Sequence, residues 1–184
     1  MKIKFNSPLV LGFVFLSLAA MILNIVTAGA SNHLVFMTYR SSFGDPLTYV
    51  RLFGHVLGHA GWQHYIGNMS YILLLGPMLE EKYGAKRLLG VIALTAVITG
   101  LINFFFFPGV AICGASGVVF AFILMTSFTG FKKGEIPITF ILVAIVYLGQ
   151  QVYDGLFVKD NISNMAHIVG GIVGAVSGYL MRKK

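Results

Sequence analysis

Between Leu88 and Phe131 the chain runs for 44 residues without one acidic, basic or histidine side chain. A helix needs about 20 apolar residues to cross about 30 Å of hydrocarbon. The run is therefore two spans long, and Pro108-Gly109 marks the break between them. Four further stretches qualify: from near Pro8 to near Ala28, from near Trp62 to just before Glu80, from Ile136 to Tyr153, and from about Asn161 to Met181. Only 10% of the residues are charged, against about a quarter in soluble domains, so lipid rather than water is the main solvent. The expectation is an all-α polytopic membrane protein with six transmembrane helices, residues 1–184 forming a single domain.

The net charge of +7 would point to nucleic acid in a soluble protein. Here its distribution points to lipid, and no nucleic-acid partner is expected. With the amino terminus inside, Lys2, Lys4, Lys82, Lys86, Arg87, Lys132, Lys133, Arg182, Lys183 and Lys184 all lie on the cytoplasmic side, leaving only Arg40, Arg51 and Lys159 outside. That asymmetry satisfies the positive-inside rule and puts both termini in the cytoplasm of a cell-membrane protein. Ala28-Gly29-Ala30 resembles a signal-peptidase site, but the apolar run before it is longer than a signal core of about 7 to 15 residues. The segment from Gly29 to Gly61 is too apolar for a solvated loop, with Leu34, Val35, Phe36, Met37, Leu52, Phe53, Val56 and Leu57, and is expected to lie half-sunk in the outer interface.

Polar side chains inside spans are costly and mark candidate functional sites. Four stand out: His64, Asn68, Ser116 and His167. From His64 to Glu80 is 16 residues, from Ser116 to Lys132 is 16, and from His167 to Arg182 is 15. At 1.5 Å per residue these are heights of about 24, 24 and 22 Å above the charged boundary, one common level. His64 and Asn68 are four apart and share a helix face. Ser116 sits in Gly114-Ala115-Ser116-Gly117, and His167 precedes Gly170, Gly174 and Gly178, a bare stripe that permits close helix contact. Singly, each also reads as packing or interhelical hydrogen bonding. Jointly they supply a serine nucleophile (Ser116), a base then acid (His167), and oxyanion donors in His64, Asn68 and the Ser116 N–H, the parts of acyl transfer to water. Asp154 is a candidate third member, but lies about 8 to 9 Å above His167 by the same arithmetic, which favours a dyad. The single cysteine, Cys113, excludes an intramolecular disulfide and reads as a small packing residue.

Taken in order, Arg51-Leu52-Phe53, His55, His59-Ala60-Gly61-Trp62, His64, Asn68, Gly114-Ala115-Ser116-Gly117 and Ala166-His167 with its glycine stripe resemble the rhomboid intramembrane serine proteases, from about Arg51 to Gly178. The resemblance implies a six-helix core with a serine–histidine dyad. It further implies cleavage of transmembrane protein substrates at small residues near the outer surface, and an oxyanion role for His64 and Asn68. No cofactor and no metal are implied. Two positions depart from common bacterial members: Val50 stands where Trp often precedes the arginine, and Phe120 where Tyr often follows the serine by four residues. Only seven residues precede the first span, so no extra cytoplasmic domain is expected. Two other functions fit parts of the pattern. One is a catalytically silent rhomboid-like protein that binds membrane clients. The other is a metal- or proton-coupled transporter using His55, His59 and His64, with no carboxylate or cysteine beside them.

Overall fold

The computed structural model describes residues 5–129, 135–157 and 164–181. They form seven α-helices: α1 (Pro8–Val26), α2 (Pro46–Gly54), α3 (Trp62–Tyr83), α4 (Ala85–Phe106), α5 (Ser116–Thr126), α6 (Ile138–Phe157) and α7 (Asn164–Met181). A π-helical turn at Asn32–Phe36 lies between α1 and α2, and there is no strand among the described residues. Four helices, α1, α4, α6 and α7, are long and apolar enough to cross a membrane. Of the cations used to orient the chain, Lys2, Lys4, Lys132, Lys133, Lys159, Arg182, Lys183 and Lys184 lie outside the described residues.

Besides α6, which runs four residues past the expected Tyr153 to Phe157, two boundaries differ from those expected. The helix starting at Trp62 does not stop before Glu80 but runs on to Tyr83, ending at Gly84 with φ 84°, a conformation that favours glycine. Glu80 is only 7% exposed because it has work inside the fold. Its two carboxylate oxygens accept the N–H groups of Leu9 and Val10 at 3.1 and 3.0 Å. Those groups open α1, whose Ser7 makes no side-chain cap, so a carboxylate 70 residues away caps the helix. The second difference is the break in the long uncharged run. The chain leaves helical geometry at Phe107 and does not resume until Ser116, which shortens α5 to 11 residues.

α5 is the centre of the molecule. It packs on α7 above all, and also on α3, α4 and α6; from Gly117 to Met125 every residue but Phe120 is buried. The glycine stripe of α7 makes the main contact. A Cβ on Gly170 would stand 2.0 Å from the Gly117 carbonyl oxygen, one on Gly174 2.1 Å from that of Ala121, and one on Gly178 2.8 Å from the Phe128 ring. The partners advance together along both chains, so α5 and α7 run parallel, and Ser116 and His167 lie at the same end. α6 contributes no buried residue of its own and leans on α7 by laying Leu148 over Gly171.

The segment between α1 and α3 is folded tightly onto itself. Asp45 caps α2 by accepting Leu47 N–H at 3.0 Å and pairs with Arg51 at 3.0 Å. Arg51, 4% exposed, also donates from Nε to the Leu34 carbonyl at 3.0 Å and lies over the Tyr39 ring. The end of α2 and the turn after it cross the π-helical turn so closely that a Cβ on Gly54 would stand 2.5 Å from Val35 O and one on Gly58 2.1 Å from Phe36 O. Leu34, Phe43, Tyr49, Val50 and Phe53 of this segment stay exposed.

Candidate active site

The stretch before α5 owes its shape to hydrogen bonds from distant parts of the chain. Thr38 and Ile112 exchange both backbone bonds, at 2.9 and 3.0 Å. Asn103 Nδ2 donates to Val110 O at 2.8 Å, and Gly114 N–H donates to His55 O at 2.8 Å. These bonds replace helical ones, so the backbone has no need to wind before Ser116. At Gly114 φ is +129°, a conformation that side chains rarely adopt. A Cβ there would stand 2.6 Å from His64 Cε1, 2.7 Å from His64 Nε2 and 3.6 Å from Asn68 Nδ2. The imidazole and the amide thus share one face of α3, lying directly against the backbone two residues before Ser116. Asn68 Nδ2 is buried and has no acceptor among the described residues.

Ser116 is the first residue of α5, so its N–H and those of Gly117 and Val118 have no intrahelical acceptor. Its hydroxyl makes no hydrogen bond among the described residues. A cavity of about 20 Å³ adjoins it, lined by His55, Thr99, Cys113, Gly114, Ser116 and Ala166 among others, room for about one water molecule. Cys113 is part of the wall of that cavity.

His167 stands on α7 one residue after Ala166, whose carbonyl oxygen faces Gly117. Its ring stacks flat on Phe120, with centroids 4.5 Å apart and planes 5° from parallel. Phe120 lies one turn after Ser116, so this contact brings the imidazole to the serine's face of α5. Phe120 needs no hydroxyl to do so. The Nδ1 atom of His167 lies 2.6 Å from Gln151 Oε1 on α6. Sequence reasoning missed Gln151. Asp154 is bonded to Gln150 Nε2 at 2.8 Å. The signal was available, since Gln150-Gln151 places two amides inside an apolar helix.

The remaining histidines are engaged individually. His55 Nε2 donates to Ala96 O at 3.0 Å, and His59 Nδ1 donates to Leu57 O at 3.1 Å. His59 also meets His64 edge-on, with centroids 5.1 Å apart. Burial lowers the pKa of both His55 and His59 to about 4, with the neighbouring His64 adding to the effect at His59. Among the described residues no three His, Cys, Asp or Glu side chains gather closely enough to hold a metal ion.

The family model described as the rhomboid domain matches residues 46–184. Among curated relatives, Rhomboid protease GlpG of Haemophilus influenzae is 26% identical over 167 residues, covering 82% of this chain and 86% of that protein. Rhomboid-related protein 2 of Mus musculus is 32% identical over 157 residues, 73% of this chain and 51% of that protein. Rhomboid protease GlpG of Yersinia pestis is 26% identical over 176 residues, 94% of this chain and 62% of that protein. The chain therefore spans most of the first of these relatives and about half to three-fifths of the other two.

Proposed function

The chain belongs to the rhomboid family, and from that premise we propose a membrane-embedded serine endopeptidase that cleaves transmembrane proteins through a Ser116–His167 dyad. The observation that carries this reading is the α5–α7 contact. Two parallel helices touch through bare glycine at Gly170 and Gly174, and the His167 ring stacks on Phe120, one turn from Ser116. In the reaction Ser116 Oγ attacks the scissile carbonyl carbon as its proton passes to His167 Nε2. The oxyanion forms against the unpaired N–H at the start of α5, with Asn68 Nδ2 and the His64 ring as further donors. Collapse expels the amine, which takes its proton from His167, and water then hydrolyses the acyl-enzyme by the same route. That the Ser116 hydroxyl makes no hydrogen bond among the described residues is compatible with this, since catalytic bonds commonly tighten only around substrate.

Six spans, α1 and α3 to α7, complete the architecture of this reading, with α5 too short to reach both surfaces as a helix and residues 1–184 acting as one domain. Both termini are cytoplasmic in a cell membrane, and the apolar face of the segment from α1 to α3 rests in the outer interface. The cavity beside Ser116 favours small side chains at the scissile bond. Its partners are the bilayer and transmembrane substrates.

Ser116→Ala tests the assignment. The variant is expected to fold and insert normally, to lose cleavage of a model transmembrane substrate, and to lose labelling by a fluorophosphonate that marks the wild type. Undiminished cleavage by the variant overturns the reading. Client binding by a wild type that neither cleaves nor labels replaces it with the silent client-binding protein.

A further inference from the structure

We propose that Gln151 is the positioning residue of the dyad: its amide oxygen fixes the tautomer and the ring orientation of His167. The proposal rests on the protease reading and adds a third member to it.

The amide oxygen of Gln151 can only accept, so the 2.6 Å contact requires His167 Nδ1 to carry the proton. In a neutral imidazole the lone pair then sits on Nε2, the atom that must take the serine proton. The stack on Phe120 holds the plane of the ring but does not choose between its two flipped orientations. A hydrogen bond to Nδ1 does. The bond also strengthens during the reaction, because Nδ1–H becomes part of an imidazolium when Nε2 is protonated, and charge-assisted hydrogen bonds are about twice as strong as neutral ones. An interaction that grows toward the transition state acts on kcat and leaves KM alone.

The helix around Gln151 gives no other reason for an amide at this position. α6 has no buried residue, so Gln151 fills no core space, and an amide in an apolar span is costly unless bonded. The charged candidate on the same helix, Asp154, is one turn further along and bonded to Gln150. Ala144, Tyr147, Leu148, Gln151 and Gly155 recur at helical spacing. Tyr147 and Leu148 pack against the core, and Gly155 approaches Asn164 of α7. Gln151 is therefore on the face that α6 turns toward α7, and Gln150 is not.

The test uses the full chain in detergent or liposomes with a model transmembrane substrate. Gln151→Leu is expected to lower kcat about 10- to 100-fold with KM unchanged. Gln151→Glu keeps an acceptor at the same reach and restores most of the loss. Gln151→Asn, one methylene too short, does not. Gln150→Leu behaves as wild type. Wild-type kcat in Gln151→Leu overturns the proposal. So does a loss that Gln151→Glu fails to recover, which would mark a packing role. Cleavage that survives Ser116→Ala is a different result: it removes the protease reading itself, and the role of Gln151 with it.

Discussion

The glycines of α7 set how close the two candidate catalytic helices can come, and a single methyl group measures it. In Gly170→Ala the new Cβ would lie 2.0 Å from Gly117 O, 2.7 Å from Gly117 C and 2.8 Å from Gly117 Cα, whereas ordinary contact begins at 3.4 Å. All three atoms are backbone, so no rotamer relieves the clash and the helices must part locally by about 1.4 Å, the difference between 3.4 and 2.0 Å. Overpacking of this kind costs about 1–3 kcal/mol, against a gain of about 1 kcal/mol from replacing glycine by alanine in a helix. The net effect on stability is modest. The effect on chemistry is not, since a misplacement of about 1 Å between reacting groups can cost about 100-fold in rate. Gly174→Ala meets Ala121 O at 2.1 Å and should lower the melting temperature similarly, but one turn further from Ser116 it should retain more activity. Gly149→Ala, with nothing within 4 Å, should be neutral or slightly stabilising. Thermal unfolding in detergent, run beside substrate cleavage, reads both quantities. A Gly170→Ala variant that melts and cleaves like wild type would refute the argument that this contact sets the geometry.

Two further outcomes follow from the loops around the site. Gly114→Ala combines a φ of +129° with a Cβ 2.6 Å from the His64 ring, so it should push the imidazole from its place and lower kcat about 10²- to 10³-fold, the usual effect of losing an oxyanion donor; turnover at the wild-type rate would remove His64 from that role. Acid should loosen the segment between α1 and α3. His55 and His59 stay neutral in the fold down to a pKa of about 4, while the same residues in the unfolded segment take up protons below about 6.5. Stability is therefore highest above pH 6.5, falls as pH drops from 6.5 to 4, and levels off below, by about 3 kcal/mol per histidine. Unfolding midpoints in detergent between pH 7.5 and 4 check the sign, and a midpoint that rises on acidification contradicts it.

The parts of this protein that were legible in its sequence are those that depend on periodicity and on the absence of charge. Uncharged runs marked helices, and the spacing of Gly170, Gly174 and Gly178 marked the face of α7 that α5 covers. What depended on distant hydrogen bonds was not legible. Nothing local says that Glu80 turns inward to cap α1, or that the chain stays out of helical geometry from Phe107 to Ala115 because Thr38 and His55 take its backbone bonds. The omission of Gln151 has a different cause. Charge made Asp154 the more conspicuous candidate, yet charge does not decide which way a helical side chain points. Successive residues are about 100° apart around the axis, so Gln150 and Gln151 face different neighbours. The residues that settle the matter are the ones at helical spacing from them: Leu148, which lies on Gly171, and Tyr147, which meets Phe120. A contact face on α6 drawn through Tyr147, Leu148 and Gly155 contains Gln151 and leaves Gln150 outside, while Asp154, seven residues after Tyr147, sits at its edge and is bonded to Gln150 instead. An apolar helix with a single amide on its packed face has few other uses for it than to bond a neighbour, and here the neighbour is the imidazole.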